Sequence, residues 1–181
     1  MSEAQKKLVI LGAAESGVGA ALLGKKEGWN VWVSDGGAIK ETYKNELLKA
    51  EIEFEEGKQN EEKILAADCV IKSPGIPEKA AIMQKIRAAN IEVYSEIEFG
   101  YRYKKNSKII AITGSNGKST TTKLIYHTLK TAGYDASLVG NIGISFAKQI
   151  VDRPSEWYVI EVSSFQLDDV HRFKPDIALI L

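Results

Sequence analysis

The sequence predicts an α/β protein made of two parallel-sheet units in series. Short β-branched apolar runs alternate with longer helical stretches along the whole chain, the pattern of parallel sheets flanked by helices. Most of the apolar runs are continuous rather than alternating, as expected of strands covered on both faces. A glycine-rich turn between a strand and a helix occurs twice, at Gly12–Gly17 and at Gly114–Gly117, once near the head of each unit.

In the first unit Lys7–Leu11, Val31–Ser34, Cys69–Lys72 and Ile91–Tyr94 read as strands, being short, apolar and bounded by polar or turn-forming residues. Between them Gly17–Glu27, Ala38–Leu48 and Pro77–Ala89 carry helical composition or apolar spacing. The charged residues around Glu51–Lys63 read as a solvated acidic face. A boundary is expected near Tyr101–Ser107, where the chain turns polar and basic before a fresh strand, dividing it into 1–100 and 101–181. The second unit repeats the style, with strands at Lys108–Thr113, Ser137–Val139, Trp157–Val162 and Ile177–Leu181 and a helix over Ser119–Thr131. No low-complexity tract, heptad seam or fixed-period repeat interrupts this order. The last strand ends without the loop and helix that should cover it, so the chain is expected to be part of a longer protein; the alternative is a terminal strand tucked into the sheet centre.

Composition narrows the function classes. The chain has 181 residues, 44% hydrophobic and 27% charged, enough to bury a core in one ordinary domain or two small ones. Lys and Arg number 24 against 24 Asp and Glu, and this zero balance argues against a nucleic-acid partner bound by broad phosphate neutralisation. The apolar runs fall far short of the ~20 residues of a membrane-spanning helix, so no membrane partner is expected. The start, Met-Ser-Glu-Ala-Gln-Lys-Lys, lacks the apolar core of a signal peptide. A lone cysteine, Cys69, excludes an internal disulfide and fits a reducing, cytoplasmic setting.

The strongest chemical signal is Gly114-Ser115-Asn116-Gly117-Lys118-Ser119-Thr120, between a strand and a helix. Glycines let successive N–H groups point at phosphate oxygens, and the helix N-terminus adds partial positive charge for the same anion. Lys118 can reach the terminal phosphates and the Ser119 hydroxyl can ligate Mg²⁺. The longer phosphate-loop pattern wants a further glycine where Ile112 stands, so the match is to a shorter Gly-x-x-Gly-Lys-Ser form. Gly12-Ala13-Ala14-Glu15-Ser16-Gly17 has the layout of a Rossmann-like dinucleotide fingerprint with Ala14 in the place of the middle glycine. Asp35 ends the next strand, where a ribose-binding carboxylate is expected. Ser73-Pro74-Gly75 should lie on the same sheet edge and either binds a phosphate or is an ordinary turn. Asn141 sits in the loop Gly140-Asn141-Ile142-Gly143. Glu161, near the end of an apolar run, is placed to complete a Mg²⁺ shell with Ser119, or else is a salt-bridged core acid. His127 and His171 belong to no metal-spacing motif and are expected to pack or to be solvated.

Taken together, Thr-Gly-Ser-Asn-Gly-Lys-Ser-Thr, Gly-Asn-Ile-Gly and Glu-Val-Ser-Ser-Phe-Gln-Leu, in this order, resemble the Mur ligases of peptidoglycan synthesis, from about Lys7 to Leu181. The resemblance implies a Rossmann-like, UDP-sugar-binding domain over 1–100 and the first part of a P-loop-type ATP-binding α/β domain over 101–181. It favours the branch that joins D-glutamate to UDP-N-acetylmuramoyl-L-alanine, with ATP and Mg²⁺ as cofactors and an acyl phosphate as intermediate. It further implies that Gly114, Ser115, Asn116, Gly117, Lys118, Ser119 and Thr120 cradle ATP, that Ser119 and Glu161 hold the metal, and that Lys118, Glu161 and Asn141 serve catalysis. Glu15, Ser16, Asp35, Ser73 and Gly75 would hold the UDP moiety, with Asn141, Ser163 and Gln166 toward the muramoyl end. The family places a second-metal histidine and carbamylated lysine, and the D-glutamate domain, beyond the strand ending at Leu181, so this chain is expected not to turn over. A monomer is expected of the whole protein and self-association of an exposed apolar face in this piece. Rival readings are a nicotinamide-dependent dehydrogenase using the first fingerprint, a non-catalytic nucleotide-binding module and a phosphate-loop kinase. The first leaves the Gly-Lys-Ser-Thr loop without a role, and the last does not explain the unit that precedes it.

Overall fold

A computed structural model describes residues 5–181 as two parallel sheets whose flanking helices pack together; Met1–Ala4 of the expected leaderless start lie outside the described residues. The first sheet contains β1 (Lys7–Leu11), β2 (Asn30–Asp35), β3 (Glu53–Glu56), β4 (Cys69–Lys72) and β5 (Glu92–Tyr94), in the order β3-β2-β1-β4-β5. The second contains β6 (Lys108–Thr113), β7 (Ala136–Gly140), β8 (Trp157–Glu161) and β9 (Ile177–Ile180), in the order β7-β8-β6-β9. Every pairing is parallel. In each sheet the strand order reverses beside the first strand, at β1/β4 and at β6/β8. Such a switch point opens a crevice at the carboxyl ends of the strands, where open α/β sheets take their ligands.

The helices are α1 (Glu15–Lys26), α2 (Glu41–Lys49), α3 (Glu61–Leu65), α4 (Ala81–Ala88), α5 (Glu96–Tyr103), α6 (Lys118–Thr131) and α7 (Phe146–Asp152), with a 3-10 turn over Ser164–Leu167. One apolar cluster runs through both units. It contains Leu8, Ile10 and Phe99 on one side and Ile109, Phe146 and Tyr158 on the other, with Phe146 and Tyr158 meeting edge to face at 4.9 Å. Small residues in α1 let α7 come close: a Cβ on Gly19 would stand 1.9 Å from Ser145 Oγ, and one on Gly100 of α5 would stand 2.6 Å from the Phe146 ring. No described helix is long and apolar enough to cross a membrane.

Four expectations need correction. Glu51–Lys63 is not simply a solvated face: it contains edge strand β3 and helix α3. Its acids are partners of neighbouring segments, Glu55 accepting from Ser34 Oγ at 2.9 Å and Glu56 from the Ile39 N–H at 2.8 Å. Tyr101–Tyr103 belongs to the last turn of α5, so the polar connection is confined to the residues after it. Helices α5 and α7 form where no helix was expected. The terminal strand β9 is not central; it takes the edge beside β6, with Ile177 49% and Ile180 84% exposed.

Candidate nucleotide and substrate site

The first crevice lies between the turn after β1 and the turn after β4. Gly12 adopts φ +91° and lies so close to Ser73 that a Cβ on it would meet Ser73 Oγ at 2.6 Å. Glycine is therefore required there by both conformation and space. Ala14 has φ −87°, open to any residue, so the missing middle glycine leaves the turn unstrained. Asp35 accepts the Ala13 N–H at 2.7 Å and the Gly37 N–H at 2.8 Å, fixing the turn from the neighbouring strand. An ionised carboxylate keeps further lone pairs for a ligand hydroxyl. Glu15 accepts from the Ser145 N–H of the second unit at 3.3 Å and from Tyr43 Oη of α2 at 3.4 Å. Ser16 is half-buried at the head of α1, and Gly75 is exposed. Ser73 donates its N–H to the Leu11 carbonyl at 3.0 Å, which ties the two turns together.

The second crevice holds the phosphate-type loop. Gly114 (φ +135°) and Gly117 (φ +78°) turn the chain sharply, and Gly117 starts α6 with no side-chain cap. No acid stands in the first turn of α6, so its positive end is open to an anion. Lys118 Nζ lies folded on its own loop, donating to the Gly114 carbonyl at 2.7 Å and to the Ser115 carbonyl at 3.3 Å. Ser115, Asn116, Ser119 and Thr120 are exposed.

Glu161 ends β8 directly opposite Ile112 of β6 and Gly140 of β7. It is 1% exposed, and its Oε2 has no hydrogen-bond partner, while Oε1 accepts from Asn141 Nδ2 at 2.8 Å. A buried carboxylate oxygen with nothing to bond is costly unless a cation or donor arrives. The second half of the Asn141 turn is equally constrained: Gly140 and Gly143 have positive φ, and a Cβ on either would strike backbone oxygens at 2.3 and 2.5 Å. The open Oε2 of Glu161 suits a hard cation that takes only one or two ligands from protein and the rest from phosphate and water. Among the described residues there is no cluster of three or more His, Cys, Asp or Glu side chains placed to bind a metal.

A cleft of about 750 Å³ lies between the turn after β4 and the loops after β7 and β8, with Gly75 on one wall and Asn141 and Ser163 on the other. Phe165, 65% exposed, projects beside it. Gln166 turns back instead, its Oε1 accepting from the Ser163 N–H at 3.0 Å and from Ser163 Oγ at 3.1 Å. His127 is exposed on α6; His171 is exposed too, though its Nε2 lies 3.1 Å from the Val93 carbonyl.

Sequence reasoning missed the charged residues that join the units. Glu98, fully buried, receives the N–H groups of His171, Arg172 and Phe173 at 2.9–3.0 Å. Burial works against its charge, but those donors and Arg102 hold its carboxyl below the usual range. Lys72, at the foot of the Ser-Pro-Gly turn, pairs with Glu78 and Asp169, and although burial disfavours its ammonium, these partners hold its pKa above that of an ordinary lysine. A lysine ending an apolar strand was the one available signal.

Two family models match in succession: "Mur ligase MurD-like, N-terminal domain" over residues 6–95 and "Mur ligase middle domain" over 112–181. Among curated relatives, the UDP-N-acetylmuramoylalanine–D-glutamate ligase of Cytophaga hutchinsonii is 56% identical over 97% of this chain and 39% of its own length. Its Porphyromonas gingivalis counterpart is 49% identical over 100% of this chain and 40% of its own. The chain thus spans about two fifths of the relatives it matches. Among solved structures, UDP-N-acetylmuramate:L-alanyl-gamma-D-glutamyl-meso-diaminopimelate ligase from Neisseria meningitides superposes with TM-score 0.63 at 16% identity, covering 98% of this chain and 60% of that one. UDP-N-acetylmuramate-alanine ligase from Thermotoga maritima gives 0.59 at 18% identity, covering 98% and 41%. Those two likenesses carry the fold, and the successive domain matches carry the assignment: the chain belongs to the Mur ligase family.

Proposed function

We propose that this chain supplies the substrate-holding half of an ATP-dependent ligase that adds D-glutamate to UDP-N-acetylmuramoyl-L-alanine in cytoplasmic peptidoglycan synthesis. Residues 1–100 take the UDP sugar and residues 101–181 take the phosphates of ATP. The observation that carries this reading is the unpartnered, buried Glu161 Oε2 on the strand beside the one that leads into the phosphate loop, next to a cleft walled by both units.

The glycine-rich turn at Gly12, with Ser73, Gly75 and Asp35, receives the uridine diphosphate end, and Ser16 lies at the helix N-terminus facing it. Glu15 acts through Ser145, orienting the second unit against the first. The muramoyl end then runs along the cleft past Asn141 and Ser163, and Gln166 shapes Ser163 rather than reaching ligand itself. Gly114–Thr120 wraps the ATP phosphates, and Lys118 exchanges its loop carbonyls for phosphoryl oxygens. Such a site works by positioning and charge stabilisation, without a protein nucleophile. Mg²⁺ held by Ser119 and Glu161 would offset charge on the phosphates. The substrate carboxylate takes the γ-phosphoryl group, releasing ADP, and the amine of D-glutamate displaces phosphate to form the amide. The residues that receive D-glutamate belong to the part of the relatives this chain does not match.

Calorimetric titration with UDP-N-acetylmuramoyl-L-alanine, in parallel with NADH, tests the reading. Saturable binding of the UDP sugar, lost in Asp35→Ala and absent for NADH, is expected. Tight NADH binding with no response to the UDP sugar would overturn it in favour of a dehydrogenase.

A further inference from the structure

The two walls of the cleft come from different sheets. One is the turn after β4, with Pro74, Gly75 and Pro77; the other follows β8, with Ser163 and Phe165. Beneath them the walls are joined by a buried ion pair. Lys72, last residue of β4, is 3% exposed, and its Nζ lies 2.9 Å from Oδ2 of Asp169, itself 3% exposed. Apart from that ammonium, Asp169 Oδ2 has no hydrogen-bond partner. Glu78 accepts from Lys72 at 2.8 Å, and Arg87 bridges Glu78 and Asp169 to close a ring of two cations and two carboxylates. The ring has no net charge, so it adds little field in the cleft. Burying a lysine and an aspartate costs several kcal/mol per ion before their attraction offsets it, and apolar residues would pack the same space without that cost. What the pair supplies is a defined distance between two separate segments.

Each partner leads directly into a wall. Ser73 follows Lys72 and touches Gly12, so the end of β4 sets the fingerprint turn as well as its own. Asp169 lies just past the 3-10 turn, and its carbonyl accepts the Ser95 N–H at 3.0 Å. We infer that the Lys72–Asp169 pair is a latch that sets the spacing of the cleft walls, which makes Lys72 and Asp169 positioning residues for the sugar nucleotide. This rests on the function proposed above and deepens it. Lys72 borders the cleft, but its ammonium is engaged by Glu78 and Asp169, so the pair acts by holding Gly75 on one side and Ser163 on the other at the separation the ligand spans.

The test uses Asp169→Asn and, as a second variant that keeps the cation but changes its reach, Lys72→Arg. Both should weaken UDP-N-acetylmuramoyl-L-alanine roughly tenfold or more, since small displacements of positioning groups carry penalties of that order. Affinity for ADP with Mg²⁺ should stay within about twofold, because the phosphate loop lies outside the latch, and Asp169→Glu should recover most of the loss. Amide exchange in the unliganded protein is the second measurement. Ile76, bonded to the Ser73 carbonyl, and Gln166, bonded to the Ser163 carbonyl, should both exchange faster in Asp169→Asn. Equal loss of both ligands, or faster exchange at only one of these amides, would overturn the latch. If the unaltered chain does not bind the UDP sugar, the proposed function fails, and the paired exchange rates still decide whether the latch exists.

Discussion

Replacing Glu96 by Gln should change how stability depends on pH. Glu96 begins α5 and is 3% exposed. Its Oε1 accepts the Ala147 N–H at 2.6 Å, and its Oε2 has no partner. Glu15, from α1, bonds the Ser145 N–H at the same end of α7, and Lys148 of α7 is turned to Glu46 of α2. Burial, opposed by the α7 donors and reinforced by Glu15, pushes the Glu96 carboxyl up from 4.5 to about 7. Between those pH values the folded protein binds the proton that the unfolded chain has released. Stability from this group therefore falls as pH rises through the window and is lowest above it. At ~1.4 kcal/mol per unit, the rise from 4.5 to about 7 amounts to on the order of 3 kcal/mol. Gln keeps the shape and the acceptor for Ala147 but does not ionise. Urea melts of both proteins from pH 4.5 to 8 should give a difference curve in which the variant gains about 1–3 kcal/mol by pH 8 and little or nothing at pH 4.5. A difference independent of pH would refute the assignment of a proton to Glu96.

Other outcomes are equally direct. Gly19→Ala, whose Cβ would stand 1.9 Å from Ser145 Oγ, should force α1 from α7 and lower stability by roughly 1–3 kcal/mol in a denaturant melt. Glu161→Gln should weaken ADP binding in the presence of Mg²⁺ by roughly tenfold and leave metal-free binding unchanged, a comparison read by titration with and without the cation. Gly114→Ala, at φ +135° and with a Cβ 2.2 Å from the Leu181 carbonyl oxygen, should distort the phosphate loop and abolish nucleotide binding measured by the same titration. Glu78, held down to about 2 chiefly by Arg87 and then Lys72, should contribute stability above pH 4.5 that is lost as pH falls through about 2, a loss missing from the acid melt of Glu78→Gln.

Strands β1, β4 and β6 have the ends expected of them, because each is an unbroken apolar run closed by a turn. Strand β3 was hidden by its chemistry. Glu-Phe-Glu-Glu has one apolar residue, and what makes it a strand is pairing with β2 and the donors its carboxylates meet, neither of which is local. Helix α5, with Gly100 and three aromatic residues among its eight, lacks helical propensity and owes its place to Ser95 capping and to the close approach of Phe146. The site was legible where glycine and lysine stand beside a strand end, as at Gly114–Lys118. It was not legible where the geometry depends on distant partners: nothing in the chain order of Lys72 and Asp169 says that they meet, or that Gln166 turns back on Ser163.

The contact of Gly12 with Ser73 has a consequence for recognition. Because the two turns that flank the first crevice are interlocked through this contact and the Ser73–Leu11 bond, the receptor surface is preorganised. A ligand settling there has little loop entropy to quench, so its affinity is governed by how well it fits rather than by how much it must order. Variation among ligands should then appear mainly as differences in residence time, with arrival rates nearly constant.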